Sequence, residues 1–191
     1  ERASSVGTES LSPAELLKLR ADRGDVEAQL KMGLRHLHGD GVPANSEEAV
    51  RWFTRAAKQG DSEAQFQLGL ALLEGRGVVQ DYQAAYRWIA EPARRGHAKA
   101  QVALADMYRF GSGIKADNAK AYLWYNLAAA QGDDNAARVR DNVASRLPPE
   151  VLAQMQAEAR RLMSLPTDAD SVPVDSGNAG AVAPAPGLNL P

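Results

Sequence analysis

Apolar and small side chains recur along this chain with the spacing of one face of a helix. Between about Asp25 and His38, the residues Ala28, Met32 and His36 are four positions apart, which places them on one side of an α-helix. A second stretch begins a few residues later and also presents apolar residues at helical spacing. The pattern predicts two amphipathic helices joined by a short turn.

This helical pair recurs with a period of 36 residues. Eight positions of the period carry the same residue in three successive copies, and the glycine series at Gly132 and the alanine series at Ala136 continue into a fourth copy. The columns are Gly24/60/96/132, Ala28/64/100, Gln29/65/101, Gly39/75/111, Gly41/77/113, Ala49/85/121, Trp52/88/124 and Ala57/93/129. At average amino-acid usage, about one column in several hundred would agree by chance. The chain therefore contains three copies of one helix-turn-helix unit.

Residues that begin and end helices stand at the borders of each unit. Asn45, Asp81 and Asp117 are good N-caps for the second helix. Glu48 follows Asn45 by three residues, which predicts a capping box in the first unit. Gly39 is expected to close the first helix in a left-handed conformation.

Both ends of the repeat array differ from its middle, as expected for caps of a solenoid. Ser12 to Glu15 forms a capping box with Pro13 at the first helical position, and Pro148-Pro149 opens a last helix. From Pro166 onward Pro, Gly, Ala, Ser and Asp dominate, which is typical of disorder. The predicted organisation is a flexible segment 1–10, a cap helix 11–23, repeats 24–59, 60–95 and 96–131, a capping repeat 132–163 and a disordered tail 164–191.

Four short motifs recur in this register, and in the middle unit they are Ala64 to Gly69, Gly75 to Val78, Ala85 to Trp88 and Ala93 to Gly96. The series resembles the Sel-one-like repeat, a relative of the tetratricopeptide repeat. The resemblance covers about Leu11 to Met163, and the double-glycine turn distinguishes it from ordinary tetratricopeptide repeats. It implies an all-α, right-handed α-solenoid, an adaptor function without catalysis and, often in bacteria, an extracytoplasmic location.

Two positions depart from the pattern. Ala105 replaces the glycine of Gly33 and Gly69, which predicts slightly wider helix packing in the third unit. Pro92 lies inside the second helix of the middle unit. Because proline lacks an N–H and clashes with the carbonyl four residues before it, it costs roughly 3 kcal/mol in a straight helix. A kink or an early end of that helix is expected.

By analogy with tetratricopeptide geometry, the first helices line a concave face where a partner would bind. The predicted binding residues are Leu30, Leu34, Leu37, Phe66, Leu70, Leu73, Glu74, Lys99, Val102, Asp106, Arg109 and Phe110. They are mainly apolar in the first two units and mixed with charge in the third, which suits a peptide or an amphipathic helix. Alternatively, these side chains pack between adjacent repeats, and this is most strongly expected for Leu30 and Phe66.

Composition and short motifs argue against several classes of function. The chain has 22 Lys and Arg against 24 Asp and Glu, so it lacks the basic excess that would favour nucleic-acid binding. It also contains no run of 18 apolar residues, the length needed to span a membrane. There is no cysteine, and His36 and His38 point in nearly opposite directions on a helix, so no metal or other cofactor is expected. No phosphate loop or nucleophile elbow occurs.

The sequence thus favours a non-catalytic scaffold that binds a protein or peptide in its groove. A start at Glu1 is compatible with a removed signal peptide or with a trimmed chain. The resemblance implies a location in the bacterial cell envelope or periplasm, with a cytoplasmic location as the alternative. An oligomeric structural component is a second hypothesis, with self-association through the solenoid ends or the C-terminal tail. A cell-wall hydrolase is a third hypothesis, but three histidines and no cysteine offer few candidate catalytic side chains.

Overall fold

A computed structural model of the chain describes residues 11–164, and these form nine α-helices and no strand. The helices are α1 (Pro13–Asp22), α2 (Val26–His38), α3 (Ser46–Lys58), α4 (Ser62–Glu74), α5 (Tyr82–Arg94), α6 (Ala98–Phe110), α7 (Asn118–Ala130), α8 (Asp134–Ala144) and α9 (Pro149–Met163). The predicted flexible start 1–10 and all but the first residue of the predicted tail lie outside the described residues.

The predicted helix borders of the repeats are confirmed. Asn45, Asp81 and Asp117 each accept a hydrogen bond from the backbone N–H three residues on, at 2.9–3.0 Å. The first helices end at Gly39 and its two equivalents, which are left-handed with φ between 69° and 79°. Because only glycine adopts this conformation without strain, it marks the same point in each unit.

One predicted capping box forms and the other forms only in part. Ser12 and Glu15 exchange both hydrogen bonds at the start of α1. At the start of α3, Asn45 caps the helix, but its own N–H donates to the His36 carbonyl at 2.8 Å. Glu48 turns to Arg51 instead. The capping box predicted for Asn45 and Glu48 is therefore wrong in its second half.

Each helix of the three repeats packs against the next one along the chain, and the interfaces merge into one core that extends from Ala49 to Leu162. A Cβ atom added to Gly33 would lie 2.5 Å from the Phe53 ring, and one added to Gly69 would lie 2.5 Å from Cγ1 of Ile89. The glycines therefore let the two helices of a unit approach closely. The result is the all-α solenoid predicted from the period.

The three tryptophans keep an interior position in their helices. Trp52 belongs to a small cluster with Ala21 and its neighbours at the N-terminal end, and Trp124 belongs to the main core. Trp88 is half-buried and packs against that core. All three therefore pack against an apolar cluster, although of the three only Trp52 and Trp124 are buried.

The early helix end predicted at Pro92 is wrong. Helix α5 continues to Arg94 and has 13 residues, as α3 and α7 do. The proline ring is fully buried at the position of Ala56 and Ala128. Its place in the last turn limits the loss to one internal N–H, and burial in the core offsets the unfavourable propensity.

A buried glutamine connects each unit to the one before it. The Nε2 atoms of Gln29, Gln65 and Gln101 each donate to a carbonyl in the last turn of the preceding second helix, at 3.2–3.3 Å. Each of those carbonyls also accepts a hydrogen bond from the N–H of the glycine three residues on, at 3.0–3.1 Å. The repeated glutamine therefore adds a second bond at the helix end and links the next unit to it.

Candidate partner-binding surface

The twelve predicted binding residues all lie on α2, α4 and α6, the first helices of the repeats, and they are called the first-helix surface below. Its aliphatic members are half-buried and pack with one side against the core. They are Leu30, Leu34, Leu37, Leu70, Leu73 and Val102. These side chains contribute to the core, as the packing alternative expects, and each keeps part of its surface accessible. Their contact with a partner stays a prediction.

Phe66 follows the packing alternative. It is only 5% exposed, and its ring centroid lies 5.0 Å from that of His97 in the next unit. An aromatic ring buried in this way is committed to the junction between the second and third repeats. Phe66 therefore holds two units together and is not accessible as an anchor for a partner.

Phe110 is the most exposed apolar residue of the surface. At the end of α6 it is 67% exposed, and the Arg109 guanidinium carbon lies 4.9 Å from the centre of its ring. At an exposed site such a cation–π contact contributes about 0.5–1 kcal/mol, which favours this orientation of the ring. Lys99 and Glu74 are exposed on the same set of helices, and Glu74 forms an ion pair with Arg76 at 2.5 Å.

Asp106 is bound within the protein. Its carboxylate accepts a hydrogen bond from the hydroxyl of Tyr125 on α7. Burial, and then the hydrogen bond to Asp106, raises the pKa of Tyr125 well above its ordinary value. Tyr125 therefore stays protonated as the donor, and Asp106 links α6 to α7 through this bond.

His97 and Glu63 form a polar pair that the sequence analysis did not find. The Nδ1 atom of His97 accepts from the Ala100 N–H at 3.2 Å and so caps α6, which leaves Nε2 to donate to Glu63 at 2.8 Å. This bond is the main reason that the pKa of Glu63 lies below its ordinary value, and Gln67 adds a second hydrogen bond. The only sequence signal was a histidine where the other first helices have aspartate N-caps.

Beside the first-helix surface there is a small crevice. This crevice of about 10 Å³ lies beside Leu37, Phe53 and Gln67, and a space of that size holds about one water molecule. Within residues 11–164, no group of three or more His, Asp or Glu side chains could hold a metal ion.

Among the helices of the described region, none is both long and apolar enough to cross a bilayer.

The geometry is that of a known repeat class. The Sel1 repeat model matches residues 26–61, 62–97 and 98–133, more than half of the chain. The fold is similar to that of a Sel1 repeat protein from Oxalobacter formigenes, with 39% identity and a TM-score of 0.63 over 69% of this chain and 99% of that one. It is also similar to a protective antigen of uropathogenic Escherichia coli strains that displays an SLR fold, with 25% identity and a TM-score of 0.52 over 81% of this chain and 42% of that one.

The chain belongs to the Sel1 repeat family. Sel1 repeat proteins generally mediate protein–protein interactions and generally act as scaffolds without catalysis. Among proteins of curated function, no match is found. The family therefore gives the class of partner and leaves the particular partner to be determined by experiment.

Proposed function

We propose that this protein is a non-catalytic scaffold that binds a protein or peptide along the first-helix surface. The observation that carries the proposal is Phe110, a large aromatic side chain that is 67% exposed and oriented by Arg109. Exposed aromatic residues of this kind dominate the binding energy of many protein interfaces. The half-buried leucines of α2 and α4 extend the apolar area from this anchor.

The charges of the surface would orient the partner. Lys99, Arg109 and Glu74 lie among the apolar residues, so both signs of charge are present. Charged groups at the edge of an interface set the orientation and the association rate more than the affinity. An amphipathic helix or an extended peptide with apolar residues on one side and both charges beside them would fit this arrangement.

The proposal is tested by affinity capture with the full chain from cell-envelope and cytosolic fractions, followed by mass spectrometry. Phe110→Asp is expected to reduce recovery of the partner by roughly tenfold or more. Because Phe110 is exposed, the variant should unfold at the same temperature as the unchanged protein. The matched control is Arg87→Asp, which changes an exposed residue of α5 outside the surface.

A second variant tests the leucines of α4. Leu70→Asp with Leu73→Asp is expected to abolish capture while the helix content measured by circular dichroism stays intact. Both side chains are half-buried, so the melting temperature has to be compared as well. If Phe110→Asp and the double variant both recover the partner as well as the unchanged protein does, the first-helix surface is not the binding site.

Assembly and location are parts of the same proposal. Self-association through the solenoid ends would make the chain an oligomeric component, and light scattering over a range of concentrations separates this from a monomeric scaffold. We also propose an extracytoplasmic location, which is supported by the resemblance noted from the sequence. Enrichment of the partner from the envelope fraction would agree with it, and enrichment from the cytosol alone would overturn it.

A further inference from the structure

The C-terminal end of the solenoid contains a pocket of about 310 Å³ between α7, α8 and α9. It is larger than the crevice beside Leu37, and none of its lining residues belongs to the first-helix surface. Two guanidinium groups line it, from Arg140 on α8 and Arg160 on α9, together with the side-chain amides of Asn126 and Gln156. A concave site with a few converging polar groups is the usual form of a ligand pocket.

The pocket exists because the repeat pattern changes at two adjacent positions. Arg140 stands 36 residues after Leu104 and 72 after Leu68, which are both 0% exposed in the core. Asp141 stands at the position of Gly69, where the absence of a side chain lets the second helix approach. A close approach at this point would bury an ion pair, which is costly. Accordingly, α9 makes its main contacts with α7, whereas α3, α5 and α7 pack against the first helix of their own unit.

The two arginines differ in how they are held. Arg140 donates to Asp141 through Nε at 2.9 Å and Nη2 at 2.8 Å, and to Asn126 through Nη1 at 3.3 Å. Its orientation is therefore fixed by three bonds. Arg160 is exposed, and its guanidinium has no hydrogen-bond or ion-pair partner anywhere in the stretch 11–164. With Asp141 as the one acidic group of the lining, the pocket has a net charge of plus one.

We propose that this pocket binds a single carboxylate of a peptide, either an acidic side chain or a free C-terminus. A guanidinium pairs with a carboxylate through two parallel hydrogen bonds, and Arg160 has its donors available for that pairing. Leu152 and Ala144 supply an apolar wall for the adjoining methylene groups. A net charge of plus one matches a monoanion, and the nearby Asp141 repels a dianionic phosphate more strongly than a carboxylate.

The test uses NMR titration of the full chain, observing backbone amides, the side-chain amide of Gln156 and the Nε–H groups of Arg140 and Arg160. The carboxylate probes are N-acetyl-glutamate N-methylamide for a side chain and N-acetyl-alanine for a C-terminus. The neutral probe is N-acetyl-glutamine N-methylamide, and inorganic phosphate is the competing anion. At least one carboxylate probe is expected to shift the pocket resonances and to saturate in the millimolar range, while the neutral probe causes no saturable shift.

The decisive variant is Arg160→Gln. Because the Arg160 side chain is exposed, the substitution should leave the fold unchanged. It is expected to weaken binding of the carboxylate probe by about tenfold or more. The matched control is Arg161→Gln, because Arg161 is the next residue of α9 but pairs with Glu158 and does not line the pocket. Equal binding of the neutral probe, tighter binding of phosphate, or unchanged binding in Arg160→Gln would each overturn the proposal.

Discussion

At the scale of single residues, a second set of glutamine hydrogen bonds forms within the first and third units but is missing in the middle unit. Gln59 and Gln131 each donate at 2.8 Å to the side-chain oxygen of the buried glutamine in their own unit. The middle unit has Arg95 there, which donates to the Gly60 carbonyl at 3.0 Å and leaves Oε1 of Gln65 without a partner. A buried acceptor without a partner costs about 1–3 kcal/mol, so the second unit has a local defect that its neighbours lack.

Replacing this arginine should remove the defect. Arg95→Gln is expected to raise the free energy of unfolding by about 0.5–1.5 kcal/mol, because the new amide would donate to Gln65. The lost ion pair with Glu91 costs little, since Glu91 keeps Arg94 and partly exposed pairs contribute little. Urea denaturation followed by circular dichroism measures the change. The converse variant Gln131→Arg should destabilise the third unit, and an Arg95→Gln protein that is no more stable would contradict the argument.

The sequence predicts the glutamine column but not its hydrogen bonds. Gln29, Gln65 and Gln101 are evident as a repeated identity, yet the carbonyls they bind belong to another helix. Which rotamer such a side chain adopts depends on the packing of both helices. The same holds for Phe66, whose burial against His97 depends on how two units stack. Residue identity was therefore predictable, and the contact of each residue was not.

At the scale of helices, local chemistry made most borders predictable. An N-cap such as Asp81 and a left-handed glycine such as Gly75 act within a few residues, so the sequence contains the whole signal. Pro92 was predicted to kink the helix or to end it early, because its local effect is unfavourable. The prediction of an early end is wrong because its ring lies in the core, and that tertiary contribution is not visible within one helix.

In the second and third units, the second glycine of the turn makes a testable contact with the preceding unit. A Cβ atom on Gly77 would lie 2.3 Å from the backbone of Ser46, at the start of the preceding second helix. Gly96 is also left-handed, but a Cβ there would meet nothing within 4 Å. Gly96→Ala should therefore cost about 1–2 kcal/mol from backbone strain alone. Gly77→Ala should cost about 1–3 kcal/mol more, because the turn has to move away from its neighbour.

Chemical denaturation of the two alanine variants separates the effects. Both substitutions are made at a positive φ, so their difference reports the contact with Ser46 and not the strain. Gly113→Ala is expected to behave like Gly77→Ala, since its Cβ would lie 2.3 Å from the Tyr82 carbonyl. Equal losses of stability in Gly77→Ala and Gly96→Ala would show that the turn does not fix the neighbouring unit.

At the scale of the whole molecule, the period of 36 residues was sufficient to predict a stack of three units. The C-terminal end was predicted less well. Arg140 stands in a column of buried leucines, which indicates a change of environment, but the packing of α9 against α7 could not be derived. The turn before α9 contains Pro148-Pro149 instead of the double glycine, so the register of the repeat ends there. Without a register, no sequence comparison fixes where the helix lies.

A solenoid distributes stability along its length, because each unit contacts only its neighbours. Leu104 is 0% exposed in α6, whereas Leu16 is 49% exposed in α1, a helix with Ala21 as its one buried residue. Leu104→Ala should cost about 2–5 kcal/mol, and Leu16→Ala should change stability by at most about 0.5 kcal/mol. In amide hydrogen exchange, Leu104→Ala should lower protection in α5 and α7 more than in α2, because opening spreads from the altered unit. An equal loss of protection from α1 to α9 would mean that the array opens only as a single cooperative body, which nearest-neighbour stacking does not predict.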